Sequence, residues 1–315
     1  MKIKNIFLRI LQIGIVVILF YYVVSPLFKN AEAFKETFFT LNPFFLVLGI
    51  LVLSMVISCY PFVWRFIMKG FGHDLPARES LVSWSYSNVG KYIPGKVWQF
   101  VGRVALTKSI KPEVTLITVF LEVIISSTSA VMVFFIRFLV SGGISPMWVL
   151  YAFLLFAVLL LLQHPAFIKF FLKLYAKIRK QEVDFTKTNL NLKRNLAVFS
   201  FYFILWILTG FSLWIMIQRS SVDISFVDAV TTYPISWVLG YVAIIAPAGL
   251  GVRESVLMTL LRSNYKVEVA SSFSILTRIA FVLADFLLFL VVFAFFGRGT
   301  LMPRKSKEIQ SVNPH

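Results

Sequence analysis

The 315-residue chain is 59% hydrophobic and only 14% charged, against about 45–50% and about 25% in soluble domains. Apolar runs recur along its whole length and leave no stretch for a separate soluble core, which excludes a soluble enzyme and requires lipid as solvent. Its 31 Lys plus Arg against 14 Asp plus Glu give a net charge of +17, but these charges lie between apolar runs, where a basic excess orients a membrane protein and meets anionic headgroups; no nucleic acid is expected.

The first apolar run, Ile6–Val24, follows Lys2 and Lys4, includes Arg9, and is followed by Ala31-Glu32-Ala33, which imitates a signal-peptidase site. It is too long for a signal peptide and reads as a retained span with the N-terminus inside. Further spans are expected at Phe44–Ile67, Val114–Leu139, Met147–Leu162, Leu196–Ile217 and Ser272–Phe296. The stretches after the second and fourth spans are rich in Lys and Arg and belong in the cytoplasm. The uncharged Ser141–Ser145 loop and the loop holding only Arg219 belong outside. After the fourth span, Lys169, Lys173, Lys177 and Lys180 recur at helical spacing away from Phe167, Phe170, Phe171 and Leu174. That pattern predicts an interfacial amphipathic helix on the anionic inner leaflet.

Two segments resist the simple pattern. Phe226–Ala246 is apolar enough to cross but contains Pro234 and Gly240 and runs into Ala246-Pro247-Ala248-Gly249-Leu250-Gly251. Counted as a full span it puts the tail outside, against the inside location predicted by Arg298, Arg304, Lys305 and Lys307. A re-entrant hairpin resolves the conflict: the chain enters from outside, turns at the Pro/Gly segment and returns as a short helix over Val252–Leu261. Leu81–Leu106 poses the same problem from the cytoplasmic face, its aromatics interrupted by Asn88, Gly90, Lys91, Pro94, Gly95 and Lys96. It predicts a helix, a break, and a second helix beginning near Pro94. The expected fold is therefore all-α and polytopic, with about six full transmembrane helices plus two re-entrant helical hairpins. Their entry from opposite faces suits an inverted repeat.

Irregular backbone at membrane depth is tolerated only where protein or a wet cavity surrounds it, so the two breaks mark a candidate site. A helix beginning inside the membrane offers unpaired N–H groups to an anion. Lys91, Lys96, Arg103 and Arg253 add full charges, and an arginine can grip phosphate with two parallel bonds. In the bland alternative the lysines mark the cytoplasmic side, Arg253 and Glu254 neutralise groups at a bend, and the glycines allow packing. Glu122, Arg278 and Asp285 fall within spans, where charges seek partners or take up protons. Ser126 and Ser129 extend Glu122 into a polar stripe, and Glu122 itself suits either structural pairing or proton coupling. The single Cys59 forms no intramolecular disulfide, and His73, His164 and His315 lack metal-ligand spacing, so neither metal nor cofactor is expected. Gly249-Leu250-Gly251 lacks the strand–helix context and third glycine of a nucleotide-binding turn. No acid–base or nucleophile set for group transfer is present.

The string Asn88…Gly90-Lys91-Tyr92-Ile93-Pro94-Gly95-Lys96-Val97-Trp98 and the later Pro247-Ala248-Gly249-Leu250-Gly251-Val252-Arg253-Glu254 resemble the lysylphosphatidylglycerol synthetase transmembrane-region family, also called the flippase-like domain family. The resemblance covers roughly residues 8–297. It implies a membrane domain that, in the multiple peptide resistance factor, precedes a lipid-aminoacylating domain and moves the modified lipid between leaflets. Only a short basic stretch, residues 298–315, follows the last apolar run, so lysyl transfer to lipid is not expected here.

Together these readings predict a cell-membrane flippase or scramblase-like domain over residues 1–297 with both termini cytoplasmic. The headgroup of an anionic phospholipid or a polyprenyl-phosphate-linked sugar would enter a polar cavity between the hairpins. Arg253 and Lys96 would meet phosphate; Asn88 and Tyr92 would line the cavity; Gly95, Gly249 and Gly251 would give the backbone room. The alternative is a non-transporting membrane partner that docks a glycosyltransferase or lipid-modifying enzyme.

Overall fold

The structure, a computed structural model, describes residues 39–92, 97–141, 146–164, 166–167, 170, 192–243, 249 and 251–300. The expected first span, the Pro94-Gly95-Lys96 and Pro247 turns, and most of the amphipathic helix and of the basic tail fall outside them. Regular structure among the described residues is helical throughout: α1 (Pro43–Gly70), α2 (Ala77–Val89), α3 (Trp98–Leu106), α4 (Pro112–Ser141), α5 (Pro146–Gln163), α6 (Leu192–Met216), α7 (Phe226–Val242), α8 (Val252–Leu261) and α9 (Val267–Thr300).

Four stretches are long and apolar enough to cross a bilayer, namely Pro43–Gly70, Pro112–Val140, Lys193–Met216 and Val267–Phe296. With 18 residues, α5 lies near the lower limit of about 17 for a span. All five fall where hydropathy predicts spans. The chain is thus an all-helical, polytopic membrane protein.

Local sequence explains where these helices begin. Asn42 accepts a hydrogen bond from the Phe44 N–H, and Pro43 occupies the first turn of α1, where its missing N–H costs nothing. Ser225 caps α7 by accepting from the Asp228 N–H. At α8 the Glu254 carboxylate folds back onto the Gly251 N–H at 2.7 Å and satisfies one of the helix's orphan donors.

Both irregular segments form helix–break–helix hairpins. With 13 and 9 residues, α2 and α3 measure about 20 and about 14 Å, well short of a hydrocarbon core of about 30 Å. A 3₁₀ turn over Gly90–Tyr92 ends α2, and α3 starts at Trp98, later than the Pro94 start expected from sequence. The hairpin closes tightly: a Cβ on Gly90 would sit 3.1 Å from the Trp98 carbonyl carbon, and one on Gly102 3.2 Å from the Ser87 Cβ. In the second hairpin, α7 runs unbroken through Pro234 to Val242 and α8 returns over Val252–Leu261 as expected. The break therefore follows Val242 and does not occur at Pro234 or Gly240.

Apolar side chains cover the outer surface as well as filling the core, and small hydroxyl residues are buried among them. Phe44, Met55, Phe153, Leu161 and Phe295 face outward, whereas Ser80, Ser83, Ser87, Thr118 and Ser129 are buried. These hydroxyls bridge helices or close onto their own backbone. Ser80 donates to the Pro61 carbonyl at 2.6 Å and ties α2 to α1, while Ser129 donates to the Phe199 carbonyl at 3.0 Å and ties α4 to α6. The helix α6 packs against α1, α4 and α7, and the first hairpin lies against α1, α4 and α9. Close backbone approach permits this: a Cβ on Gly210 would stand 2.2 Å from the Val230 Cα. Gly210→Val is expected to destabilise the protein by about 1–3 kcal/mol through overpacking. Phe153→Ala on the lipid face is expected to stay within about 0.5 kcal/mol. Thermal unfolding in detergent checks both.

Candidate functional site

The broken ends of the two hairpins meet at a cavity of about 100 Å³. Asn88, Lys91 and Arg103 reach it from the first hairpin, Tyr241 and Arg253 from the second, and Glu122 and Asp285 from α4 and α9. Its walls are strongly aromatic, with Tyr60, Trp84, Tyr202, Trp206, Trp237 and Phe281. A smaller adjoining cavity of about 20 Å³ is lined by Tyr92 and Glu254 and shares Lys91 and Arg253 with the larger one. Five of the residues expected from sequence, Asn88, Lys91, Arg103, Glu122 and Arg253, thus border one space, and Tyr92 and Glu254 border its neighbour. Pro94, Gly95 and Lys96 lie outside the described residues, in a segment bracketed by cavity-lining Lys91 and Gln99.

The charges in the cavity are paired unequally. Asp285, 3% exposed, accepts from Asn88 Nδ2 at 2.8 Å, Tyr92 Oη at 2.6 Å and Lys91 Nζ at 2.5 Å. A single carboxylate on α9 therefore holds the tip of the first hairpin through three side chains. Glu122 does the same deeper in the bundle. Its Oε1 accepts from Trp84 Nε1 at 2.9 Å and Tyr202 Oη at 3.2 Å, and its Oε2 from Arg103 Nη1 at 3.0 Å. Arg103 further donates to Ser87 Oγ at 3.0 Å and lies over the rings of Trp64 and Trp84. Lys91 and Arg103 are consequently neutralised within the protein.

Arg253 differs. Its Nε is shut off from solvent without a hydrogen-bond partner, and among the described residues no carboxylate forms a salt bridge with it. The neighbouring Glu254 is engaged with the Gly251 N–H and with Arg278, 3.5 Å away. The guanidinium lies over Trp237, 5.8 Å from the ring centroid. Two glycines make its seat: a Cβ on Gly240 would stand 2.2 Å from Arg253 Cγ, and one on Gly249 3.0 Å from Arg253 Nε. Gly249 also has φ +73°, in the left-handed region that suits glycine. Gly251, at φ +80°, has open space around it, so its contribution is backbone conformation. Because Glu254 caps α8, the cavity's positive charge comes from the Arg253 side chain more than from bare helix N–H groups.

Three cationic and two acidic side chains border the large cavity, an excess of one positive charge, which belongs to Arg253. In a low dielectric an uncompensated charge is costly until a counter-charge arrives.

Sequence reasoning does not single out Arg137 and Asp228, although both lie in apolar stretches. They form a buried ion pair between α4 and α7, 1% and 3% exposed. Arg137 also donates to the Leu260 carbonyl at 3.2 Å, and Tyr265 donates to Asp228. This cluster clamps the second hairpin at its far end from the cavity. The signal available was an ionisable residue within each apolar window. The aromatic partners Trp84 and Tyr202 carried no such signal.

Removing one member of a buried pair leaves its partner uncompensated, at a cost of about 3–5 kcal/mol. Glu122→Gln is therefore expected to lower the unfolding temperature strongly. Adding Arg103→Met in the same chain is expected to restore part of the loss, as thermal unfolding in detergent would read.

The model of the family described as the lysylphosphatidylglycerol synthase TM region matches residues 9–292, an interval that includes both hairpins and all of the cavity-lining residues. Comparison with curated proteins returns no match. The family description names the membrane region of the synthase, in keeping with the helical bundle and with the two motifs that border the cavity. The chain belongs to the lysylphosphatidylglycerol synthase transmembrane-region family.

Proposed function

We propose that the protein moves an anionic lipid between bilayer leaflets, seating the headgroup in the cavity between the hairpins while the acyl or prenyl tails stay in the bilayer. The observation that carries this reading is Arg253, a cation without a carboxylate at the meeting point of two broken helices. A lipid phosphate supplies the missing counter-charge, and the guanidinium fork matches two of its oxygens. In this reading Lys91 and Arg103 are not the primary phosphate ligands, because Asp285 and Glu122 hold them. Glu122 serves as the anchor of Arg103 and the first hairpin.

In this reading both termini of a cell-membrane protein are cytoplasmic, which the Lys/Arg-rich loops support. The first hairpin then enters from the cytoplasmic face and the second from the outer face. A headgroup held where their tips meet is close to both exits, the geometry that transbilayer movement requires. Movement of this kind requires no bound cofactor and no covalent step, and in this reading the protein is a transporter.

Exchange of dye-labelled lipids in proteoliposomes tests this. Wild type is expected to exceed empty vesicles for at least one phosphate-bearing lipid. Arg253→Ala is expected to reduce that rate by about tenfold or more, since a charge-assisted bond is worth about 1.5–3 kcal/mol. A wild-type rate equal to that of empty vesicles across several such lipids contradicts transport. A folded Arg253→Ala protein with the wild-type rate removes Arg253 from the mechanism.

A further inference from the structure

We propose that the cleft between the start of α3 and the end of α7 is the lateral portal of the cavity, held shut by a hydrogen bond between Gln99 and Tyr241 that parts when a headgroup passes. This rests on the proposed transport reading and adds the route by which the lipid reaches Arg253.

The first observation is the bond itself. Gln99 Nε2 donates to Tyr241 Oη at 2.6 Å and so joins the tip of the first hairpin to the tip of the second. Both side chains are half-buried, and both border the large cavity. Their chain neighbours face outward: Trp98 is 48% and Val242 63% exposed. Val101, on the next turn of α3, and Phe120 of α4, stacked across Phe100 at 5.0 Å, extend that exposed apolar surface. An amide and a phenol beside lipid are costly unless each satisfies the other. The pair thus stands between the polar cavity and an apolar rim.

The second observation is how the flanking helices are held. Both α3 and α7 pack against α4, but at different points. The Arg103–Glu122 pair and the Phe100–Phe120 stack fix α3 close to the latch. The buried Arg137–Asp228 pair fixes α7 near its other end, and about 20 Å of helix separates Asp228 from Tyr241. The last turn of α7 is also less enclosed than its middle, with Leu239 and Tyr241 half-buried and Val242 exposed. A small tilt about the clamp therefore opens the cleft at Tyr241 first.

The third is the path behind the latch. Tyr241 stacks on Trp237 at 5.0 Å, and the Arg253 guanidinium lies over the same indole. One ring therefore separates the latch from the phosphate seat. When the bond parts, the Gln99 amide and the Tyr241 hydroxyl can donate to ester and phosphate oxygens of the passing headgroup. The tails meanwhile lie along Trp98, Val101 and Val242.

The test uses the full chain with Cys59→Ser, which removes the exposed native thiol. Proteoliposomes carry dye-labelled phosphatidic acid, phosphatidylglycerol or phosphatidylinositol. Gln99→Cys with Tyr241→Cys, bridged by a bifunctional methanethiosulfonate and checked by intact mass, is expected to exchange lipid about tenfold or more slowly than when unbridged. A reductant that cleaves the bridge is expected to restore the rate. Gln99→Leu is expected to exchange about threefold faster than wild type, the factor set by the loss of one ordinary hydrogen bond. If the cysteine pair fails to fold or to exchange, Trp98→Cys with Val242→Cys, both at exposed positions, carries the bridge instead. A bridged protein that exchanges at the unbridged rate overturns the portal and leaves transport standing. A bridge that blocks exchange, with Gln99→Leu no faster than wild type, supports the portal and overturns the hydrogen bond as its latch. Wild type equal to empty vesicles for all three lipids overturns both readings.

Discussion

A charge at membrane depth without a partner is costly, and around the central cavity this constraint is met for four of five charged groups. Lys91 is matched by Asp285 and Arg103 by Glu122. The fifth, Arg253, lies against Trp237 and two glycines with its Nε unfilled. Among the described residues bordering the cavity, Arg253 is the cation without a carboxylate partner, and in the proposed reading a charge from outside fills that place. The rest of the architecture maintains that imbalance.

The two satisfied carboxylates also organise the bundle. Asp285 draws Asn88, Lys91 and Tyr92 from the hairpin tip onto α9, and Glu122 draws α2, α3 and α6 together through Trp84, Arg103 and Tyr202. The first hairpin is thereby fixed to the spans around it. The second is held at its far end by Arg137 and Asp228, and Gln99 Nε2 bridges to Tyr241 Oη at 2.6 Å between the hairpins. Buried ion pairs contribute modest net stability but penalise alternatives that separate them. In this bundle they specify which helix faces which.

Much of this was legible in the sequence because lipid as solvent imposes simple rules. Hydropathy alone finds α1, α4, α5, α6 and α9, and the Pro/Gly interruptions, set against the basic tail, mark the two segments that form broken hairpins. Candidate cations could be named because each is expensive in an apolar run. Their partners could not be named. Asp285 lies 197 residues from Asn88 and 193 from Tyr92, and neither the indole of Trp84 nor the phenol of Tyr202 looks like a carboxylate ligand until α2 and α6 are packed. From sequence, Lys91, Arg103 and Arg253 are all candidate cations beside the two breaks, with Arg253 and Lys96 expected to meet phosphate. Only the three-dimensional pairing separates the neutralised two from the third.

The central claim is that Arg253 is the uncompensated cation of the cavity and that phosphate completes it. Mass-spectrometric mapping of phenylglyoxal adducts on the purified chain, with and without dihexanoyl phosphatidic acid, tests this most directly. The account predicts that Arg253 reacts, that the phosphate-bearing lipid protects it, and that a phosphate-free diacylglycerol does not. Arg103, already held by Glu122, should react little in either state. An Arg253 that is unreactive, or equally reactive with and without phosphatidic acid, would contradict the account.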